Sequence, residues 1–235
     1  MRHRGRADLT GVEVRRVPGA GWSHLQHFTA SAHGSHRATR IVIRLWKNER
    51  VKLLVAALES ELIAFPEELS GFRRLVTGPG KLKATYALTR ALDADVYDEI
   101  LVVGTAGALD ETVGSGVHEV HWAFQHDVIN EDGVRGEHVS MPQRIALGDG
   151  DISIATGDSF IDDADAVQLI HSLGGRLVDM ESYAYAWVAA QFDVPIRIWK
   201  AVSDNAQDGA NTTWEEAVTA CSHQLRDRVR AVYGV

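Results

Sequence analysis

From Val51 onward the chain alternates between short apolar runs and longer segments that carry an apolar stripe. Lys52 to Leu58 is a continuous apolar run and predicts a buried strand. Phe72 to Thr77 predicts a shorter strand that ends in the turn G-P-G at Gly78. Over Lys81 to Leu92 the side chains of Leu82, Tyr86, Leu88 and Leu92 are available to one broad face, which predicts a helix. Glu99 to Val103 predicts a fully apolar strand leading into a small-residue loop, G-T-A-G-A-L. Val117 to Phe124 alternates like a strand with one wet face, and Asp151 to Thr156 reads as another strand. A short helix, Asp165 to Leu173, stops at Gly174 and Gly175. Met180 to Phe192 predicts a strong helix ended by D-V-P, Ile196 to Val202 a buried strand, and Trp214 to Val232 a C-terminal helix. Strands mostly separated by helices imply an α/β layer structure with a largely parallel sheet. In such sheets the polar loops at strand ends gather on one edge, where ligands bind.

The first fifty residues break this rhythm. Met1 to Arg50 is rich in Arg and His, holds only Asp8, Glu13 and Glu49 as acids, and offers one plausible strand, I-V-I-R-L-W from Ile41. Its composition predicts a loosely ordered basic extension, or an over-extended translation start, over residues 1–50, ahead of the α/β domain over residues 51–235. An Arg-rich leader also fits an organelle transit peptide, but the amphipathic helix is not evident. His24 and His27 have metal-like spacing without an Asp, Glu or Cys close by, so a solvated pair is expected.

Composition narrows the functional classes. The 235 residues suit one large α/β domain, and a net charge of -8 argues against a general nucleic-acid binder. No apolar run reaches the ~18 residues of a membrane span, and the N-terminus lacks the apolar core of a secretory signal. The lone Cys221 excludes an internal disulfide and a cysteine-based zinc site. A cytoplasmic location is the expectation, with neither nucleic acid nor membrane as partner.

Acids sit at three junctions where elements meet the predicted ligand edge. Glu181, in V-D-M-E-S, opens a helix; Asp204, in W-K-A-V-S-D-N, follows a strand; Glu59 and Glu61 end the strand from Lys52. The strand is expected to give way near Leu58 to a helical turn, one glutamate capping it and the other entering the cleft. G-P-G-K at Gly78 fails as a phosphate loop, because Leu75 and Leu82 stand where glycine and Ser or Thr are needed, and reads as a tight turn. In A-T-G-D-S-F-I from Ala155, Phe160 is either a core ring or a platform for a planar ligand. His126 and Asp127 are neighbours in an extended segment, point opposite ways and are expected to be structural.

With those residues in view, the chain resembles the purine nucleoside phosphorylase and nucleosidase superfamily. The nearest branch is the hydrolases of methylthioadenosine and S-adenosylhomocysteine. A-L-E-S-E-L, G-T-A-G-A-L, T-G-D-S-F-I, and V-D-M-E-S through A-V-S-D-N occur in family order from Lys52 onward. The resemblance implies a three-layer α/β/α sandwich with a mixed, largely parallel central sheet. It implies that Glu61 activates water and that Asp204 faces N7 of the purine. Glu181 would bind the ribose hydroxyls, with Asp179 and Met180 in the same motif and Met180 beneath the sugar. Ser203 precedes the acid, Phe160 would stack on the base, and the backbone of Ile161 would read its edge. Thr105, Ala106 and Gly107 would lie near the sugar and the attacking water, and Trp214 near the 5′ end. A small-molecule purine nucleoside is the implied partner, the assembly a homodimer, and neither cofactor nor metal is called for.

The implied reaction makes physical sense of the acids. Breaking an N-glycosidic bond builds positive charge on the sugar and negative charge on the base. A protonated Asp204 removes the second, Glu61 takes a proton from water, and Glu181 favours the electron-poor sugar. Where the superfamily's phosphorylases carry a phosphate-gripping arginine, this chain has Val102, which favours water as nucleophile. Two alternatives stay open: a nucleoside phosphorylase using Lys81 or a partner's arginine, and a catalytically silent nucleoside-binding protein. Ala108 replaces a usual glycine, and the Val128 to Asp151 connection is shorter than in nucleosidases, which leaves the 5′ substituent undetermined.

Overall fold

Among the described residues, nine strands and four helices follow one another in an order that puts most apolar runs inside a single mixed sheet. The computed structural model describes residues 51–110, 112–205 and 214–235, with the backbone alone for 204 and 205. The N-terminal fifty residues, including the strand expected at Ile41 and the pair His24 and His27, lie outside the described residues. The elements are β1 (Lys52–Ala56), β2 (Phe72–Val76), α1 (Lys81–Ala94), β3 (Ile100–Ala108), β4 (Val117–Glu119), β5 (Trp122–Gln125) and β6 (Arg144–Ala146). They continue with β7 (Ser153–Thr156), α2 (Ala164–Ser172), β8 (Leu177–Asp179), α3 (Ser182–Gln191), β9 (Ile196–Asn205) and α4 (Trp214–Tyr233).

The sheet runs β2-β1-β3-β8-β7-β5-β6, with β9 pairing both β3 and β4. The β1–β2, β1–β3, β3–β9, β5–β7 and β7–β8 pairs are parallel. The β3–β8, β4–β9 and β5–β6 pairs are antiparallel. Successive strand side chains alternate between faces. In β9, Ile198 packs with Leu88 of α1 and Val188 of α3 on one face. Trp199 and Ala201 pack with Cys221, Leu225 and Val229 of α4 on the other, where α2 adds Val167 and Ile170 further along the sheet. The result is the mixed, largely parallel α/β/α sandwich.

Four local expectations are corrected. Helix α1 buries Ala84, Leu88 and Leu92, a strict i, i+4 row, and leaves Leu82 (84% exposed) and Tyr86 (70%) on its outer face. G-T-A-G-A is not a loop but the second half of β3, where it gains a full ladder against β9. The segment from Val117 to Phe124 splits, since β4 pairs with β9 and β5 turns away to pair with β7. Helix α3 begins at Ser182, because Met180 and Glu181 follow directly on β8, a three-residue strand too short to show in the pattern.

Candidate active site

Glu61 reaches the interior from a single 3-10 turn, Glu59–Leu62, just after β1. Its neighbour Glu59 points outward, 80% exposed, toward Arg74. Glu61 is 3% exposed, and four donors hold its carboxylate. Ala57 and Leu58 N–H donate to Oε2 at 3.0 Å each, while Thr105 N–H (2.8 Å) and Thr105 Oγ1 (3.1 Å) donate to Oε1. The expected split of one capping acid and one cleft acid therefore collapses onto Glu61, which does both. Gly104 makes this approach possible: a Cβ there would come within 2.9 Å of Glu61 Oε1 and 3.1 Å of Lys200 Nζ.

Asp179 and Glu181 come from the β8–α3 junction. Asp179 accepts from Thr156 Oγ1 (2.8 Å), Ser182 N–H (3.0 Å), Ser182 Oγ (2.6 Å) and Lys200 Nζ (2.9 Å). Both its oxygens are engaged, so it caps α3 and anchors a cation. Glu181 accepts from Gly80 N–H at 2.8 Å through Oε1, and its Oε2 has no hydrogen-bond partner among the described residues. Burial, reinforced by the charge of Asp179, pushes the Glu181 carboxyl up from 4.5 to about 7, against the opposing pull of Lys200 and of the Gly80 amide.

Lys200 is the buried charge beside this cluster that the sequence alone does not single out. It is 2% exposed, and burial opposes its charge. Asp179, Glu181 and Glu61 outweigh that opposition, so its pKa is raised and it stays an ammonium. A signal was available. A lysine between Trp199 and Ala201 in a buried strand needs a carboxylate partner.

Eleven of the twelve residues selected from sequence line one cleft holding about 660 Å³ of space including its open mouth, a size that accommodates small molecules. Glu61, Asp179 and Glu181 form its acidic floor, and Thr105, Ala106 and Gly107 of β3 and Ser203 of β9 lie along it. Met180 and Ile161 add apolar surface, together with Val178, Leu58 and Pro79. Phe160, 63% exposed, meets the Trp214 ring edge-on at 6.2 Å, so neither ring is a core side chain. The twelfth, Asp204, is described by its backbone only. The β3–β9 register slips so that Ala106 faces Val202 and Gly107 faces Asp204, which makes Ser203 the extra residue of a bulge. Bulges re-aim side chains and recur beside binding sites.

The fold is nucleoside phosphorylase-like. Residues 152–233 match the model of the Phosphorylase superfamily. A 5′-methylthioadenosine/S-adenosylhomocysteine nucleosidase of Bacillus licheniformis is 27% identical over 213 residues, spanning 77% of this chain and 92% of that one. The enzyme of the same description from Staphylococcus carnosus is 26% identical over 214 residues, spanning 70% and 91%. Among solved structures, the Neisseria meningitidis nucleosidase in complex with methylthio-immucillin-A superposes with a TM-score of 0.69 at 22% identity, covering 79% of this chain and all (100%) of that one. Futalosine hydrolase of Helicobacter pylori gives 0.67 at 19% identity, covering 78% and 99%. The likeness to the phosphorylase superfamily and its methylthioadenosine/S-adenosylhomocysteine nucleosidases is thereby shown.

Proposed function

We propose that this chain is a purine nucleosidase that hydrolyses the N-glycosidic bond of an adenine-type nucleoside such as 5′-methylthioadenosine or S-adenosylhomocysteine. The observation that carries this reading is the surplus of buried negative charge: Glu61, Asp179 and Glu181 of the cleft floor share, among the described residues, one buried ammonium, that of Lys200. Such a floor favours a ligand that gains positive charge as it reacts, as a sugar losing its base does. Three of the four donors on Glu61 are backbone amides, and only the Thr105 hydroxyl can rotate away. It then frees a lone pair of Oε1 for a water that Glu61 deprotonates as the water attacks C1′. Glu181 Oε2 accepts from the ribose hydroxyls. Asp204 gives a proton to N7, so the base leaves neutral, and Phe160 and Trp214 offer flat apolar surface to the base and the 5′ group.

Among the described residues, phosphate finds little to hold it. Val102 is wholly buried in the core. Near the cleft, Lys200 is paired with Asp179 and Lys81 with Asp127, so water is the nucleophile in our reading. We also read the chain as a cytoplasmic homodimer, with Leu82 and Tyr86, one turn apart on α1, available to a second copy. Light scattering that returned only the mass of one chain would remove the dimer.

The reading is tested by following adenine release from 5′-methylthioadenosine and adenosine with and without phosphate. Phosphate-independent release is expected. Strict phosphate dependence indicates a phosphorylase instead, and binding without release indicates a nucleoside sensor. Asp204→Asn is expected to lower kcat by about 10²–10⁴-fold while ligand affinity stays within about tenfold. Near-normal turnover would take the acid role away from Asp204.

A further inference from the structure

Two segments that the catalytic reading leaves unused, G-P-G-K and His126–Asp127, meet in space. Lys81 Nζ lies 2.6 Å from Asp127 Oδ1 and 3.0 Å from Gln125 Oε1, joining the start of α1 to the end of β5. The Lys81 backbone N–H donates to Asp158 Oδ1 at 2.8 Å, and Asp158 N–H donates back to Asp127 Oδ2 at 2.9 Å. One residue earlier, Gly80 N–H donates to Glu181 Oε1 at 2.8 Å. Helix α1 has no acid in its own first turn, so carboxylates borrowed from beyond β7 and β8 satisfy its leading amides. The turn itself is held in a conformation that L side chains rarely adopt, with φ of +82° at Gly78 and +95° at Gly80.

We propose that Lys81 is a positioning residue for the sugar-binding carboxylate: its clasp on Asp127 and Gln125 fixes Gly80 so that its amide occupies one oxygen of Glu181 and leaves the other to the ribose hydroxyls. The clasp is only partly exposed, 17% at Lys81 and 26% at Asp127, so it is shielded from full solvent screening. The groups facing Glu181 are Asp179 on β8, Lys200 on β9, Glu61 on the 3-10 turn, Tyr185 on α3 and the Gly80 amide. Of these, Lys200 and the Gly80 amide favour its charged form. Loosening the turn removes one of the two, so the carboxylate forms at higher pH. The inference rests on the nucleosidase reading for what Glu181 binds, but not for the geometry of the clasp.

The test compares wild type, the charge-neutral double variant Lys81→Met/Asp127→Asn, and Lys81→Arg. The first readout is the ¹⁵N shift of the Gly80 amide against pH in glycine-labelled protein, which follows Glu181 ionisation whether or not the protein turns over. The wild-type amide is expected to titrate near 7. In the double variant that titration moves upward. kcat/KM then falls roughly tenfold at pH 6 and returns to within about twofold of wild type at pH 8.5. Lys81→Arg keeps the wild-type profile. If the double variant does not fold, Asp127→Asn alone is read the same way, since Asn keeps an acceptor for Asp158 N–H. An unmoved Gly80 titration, or an equal loss at both pH values, overturns the proposal. Absence of adenine release by wild type overturns the nucleosidase reading and leaves the amide titration to decide the clasp.

Discussion

Strand β9 carries two cations three residues apart, on opposite faces of the sheet, and the protein treats them differently. Arg197 faces α4, where Glu119 takes its guanidinium with both oxygens at 2.8 and 3.0 Å. One cation meets one anion there, each about one-third exposed, at 33% and 30%. Lys200, on the other face, is 2% exposed, bound to an equally buried Asp179 of the cleft lining and influenced by the charges of Glu61 and Glu181. The first pair is complete without a ligand. The second is left with more negative than positive charge, and burial, reinforced by the charge of Asp179, raises the Glu181 carboxyl. A proton partly relieves the imbalance at rest, and in the proposed hydrolysis a developing positive sugar would relieve it further. The surface pair closes its own electrostatics; the cleft cluster does not.

The largest effect should come from emptying the cluster of its cation. Lys200→Met leaves three buried carboxylates without a counter-ion and is expected to cost about 3–5 kcal/mol. The loss should be smaller near pH 5, where protons replace the ammonium. Thermal melts at pH 5 and pH 8, with adenine release measured at 10 °C, check both halves. A cost no larger than that of neutralising Arg197 would erase the distinction between the two pairs.

Glu181→Gln sharpens the comparison from the opposite side, because function and stability should move apart. Turnover is expected to drop by about 10²-fold as the ribose loses its anion. A carboxyl raised from 4.5 to about 7 binds its proton more tightly in the folded chain. Its stabilising contribution is therefore whole below 4.5 and is lost as pH rises through about 7. Gln carries no charge to bury. At pH 8 the variant should be the more stable by up to about 3 kcal/mol, roughly 5 °C or more in Tm, with the gap closing toward pH 5. A wild type that is the more stable at pH 8 would contradict a strained, ionisable Glu181.

These effects also mark how far the sequence could be read. The long helices and the apolar strands announce themselves through period and length, and so do the junctions that carry Glu61 and Glu181, whereas β9 runs on through Asp204, which was expected just past its end. The second half of β3 was hidden because Gly104 to Ala108 has no side chains large enough to look like a strand. Its pairing with β9 is a long-range fact. Strands β6 and β8 have three residues each, too few for an alternation to register. Leu82 and Tyr86 were assigned to the wrong face because a run of hydrophobic residues leaves two helical stripes available, and packing against α3 selects the row through Ala84 and Leu88. Lys200 and Lys81 were legible only as charges. Their meaning lies in partners that the chain brings from 21 and 46 positions away, Asp179 and Asp127.

A smaller effect is expected from adding one methyl group to the boundary of the cluster. In Gly104→Ala the new Cβ would lie 2.9 Å from Glu61 Oε1 and 3.1 Å from Lys200 Nζ, so both charged groups must shift. Overpacking of this kind costs about 1–3 kcal/mol. Turnover should fall about tenfold through misplacement of Glu61, with KM less affected. Equal activity in wild type and variant would mean that the Glu61–Lys200 spacing has slack the reaction does not use.

The smallest effect belongs to the control pair. Arg197→Met keeps an apolar stem over Trp199 but loses the contact of Arg197 Cζ with the indole ring at 4.8 Å and the bidentate grip on Glu119. Because Glu119 is 30% exposed, water can solvate the carboxylate left behind, and a cost of about 1 kcal/mol is expected. Adenine release should stay within about twofold of wild type, since Arg197 and the cleft lie on opposite faces of β9. If Arg197→Met instead reduced turnover as severely as Lys200→Met, the strand would be transmitting strain between its faces, and the division into a self-contained pair and an open cluster would have to be given up.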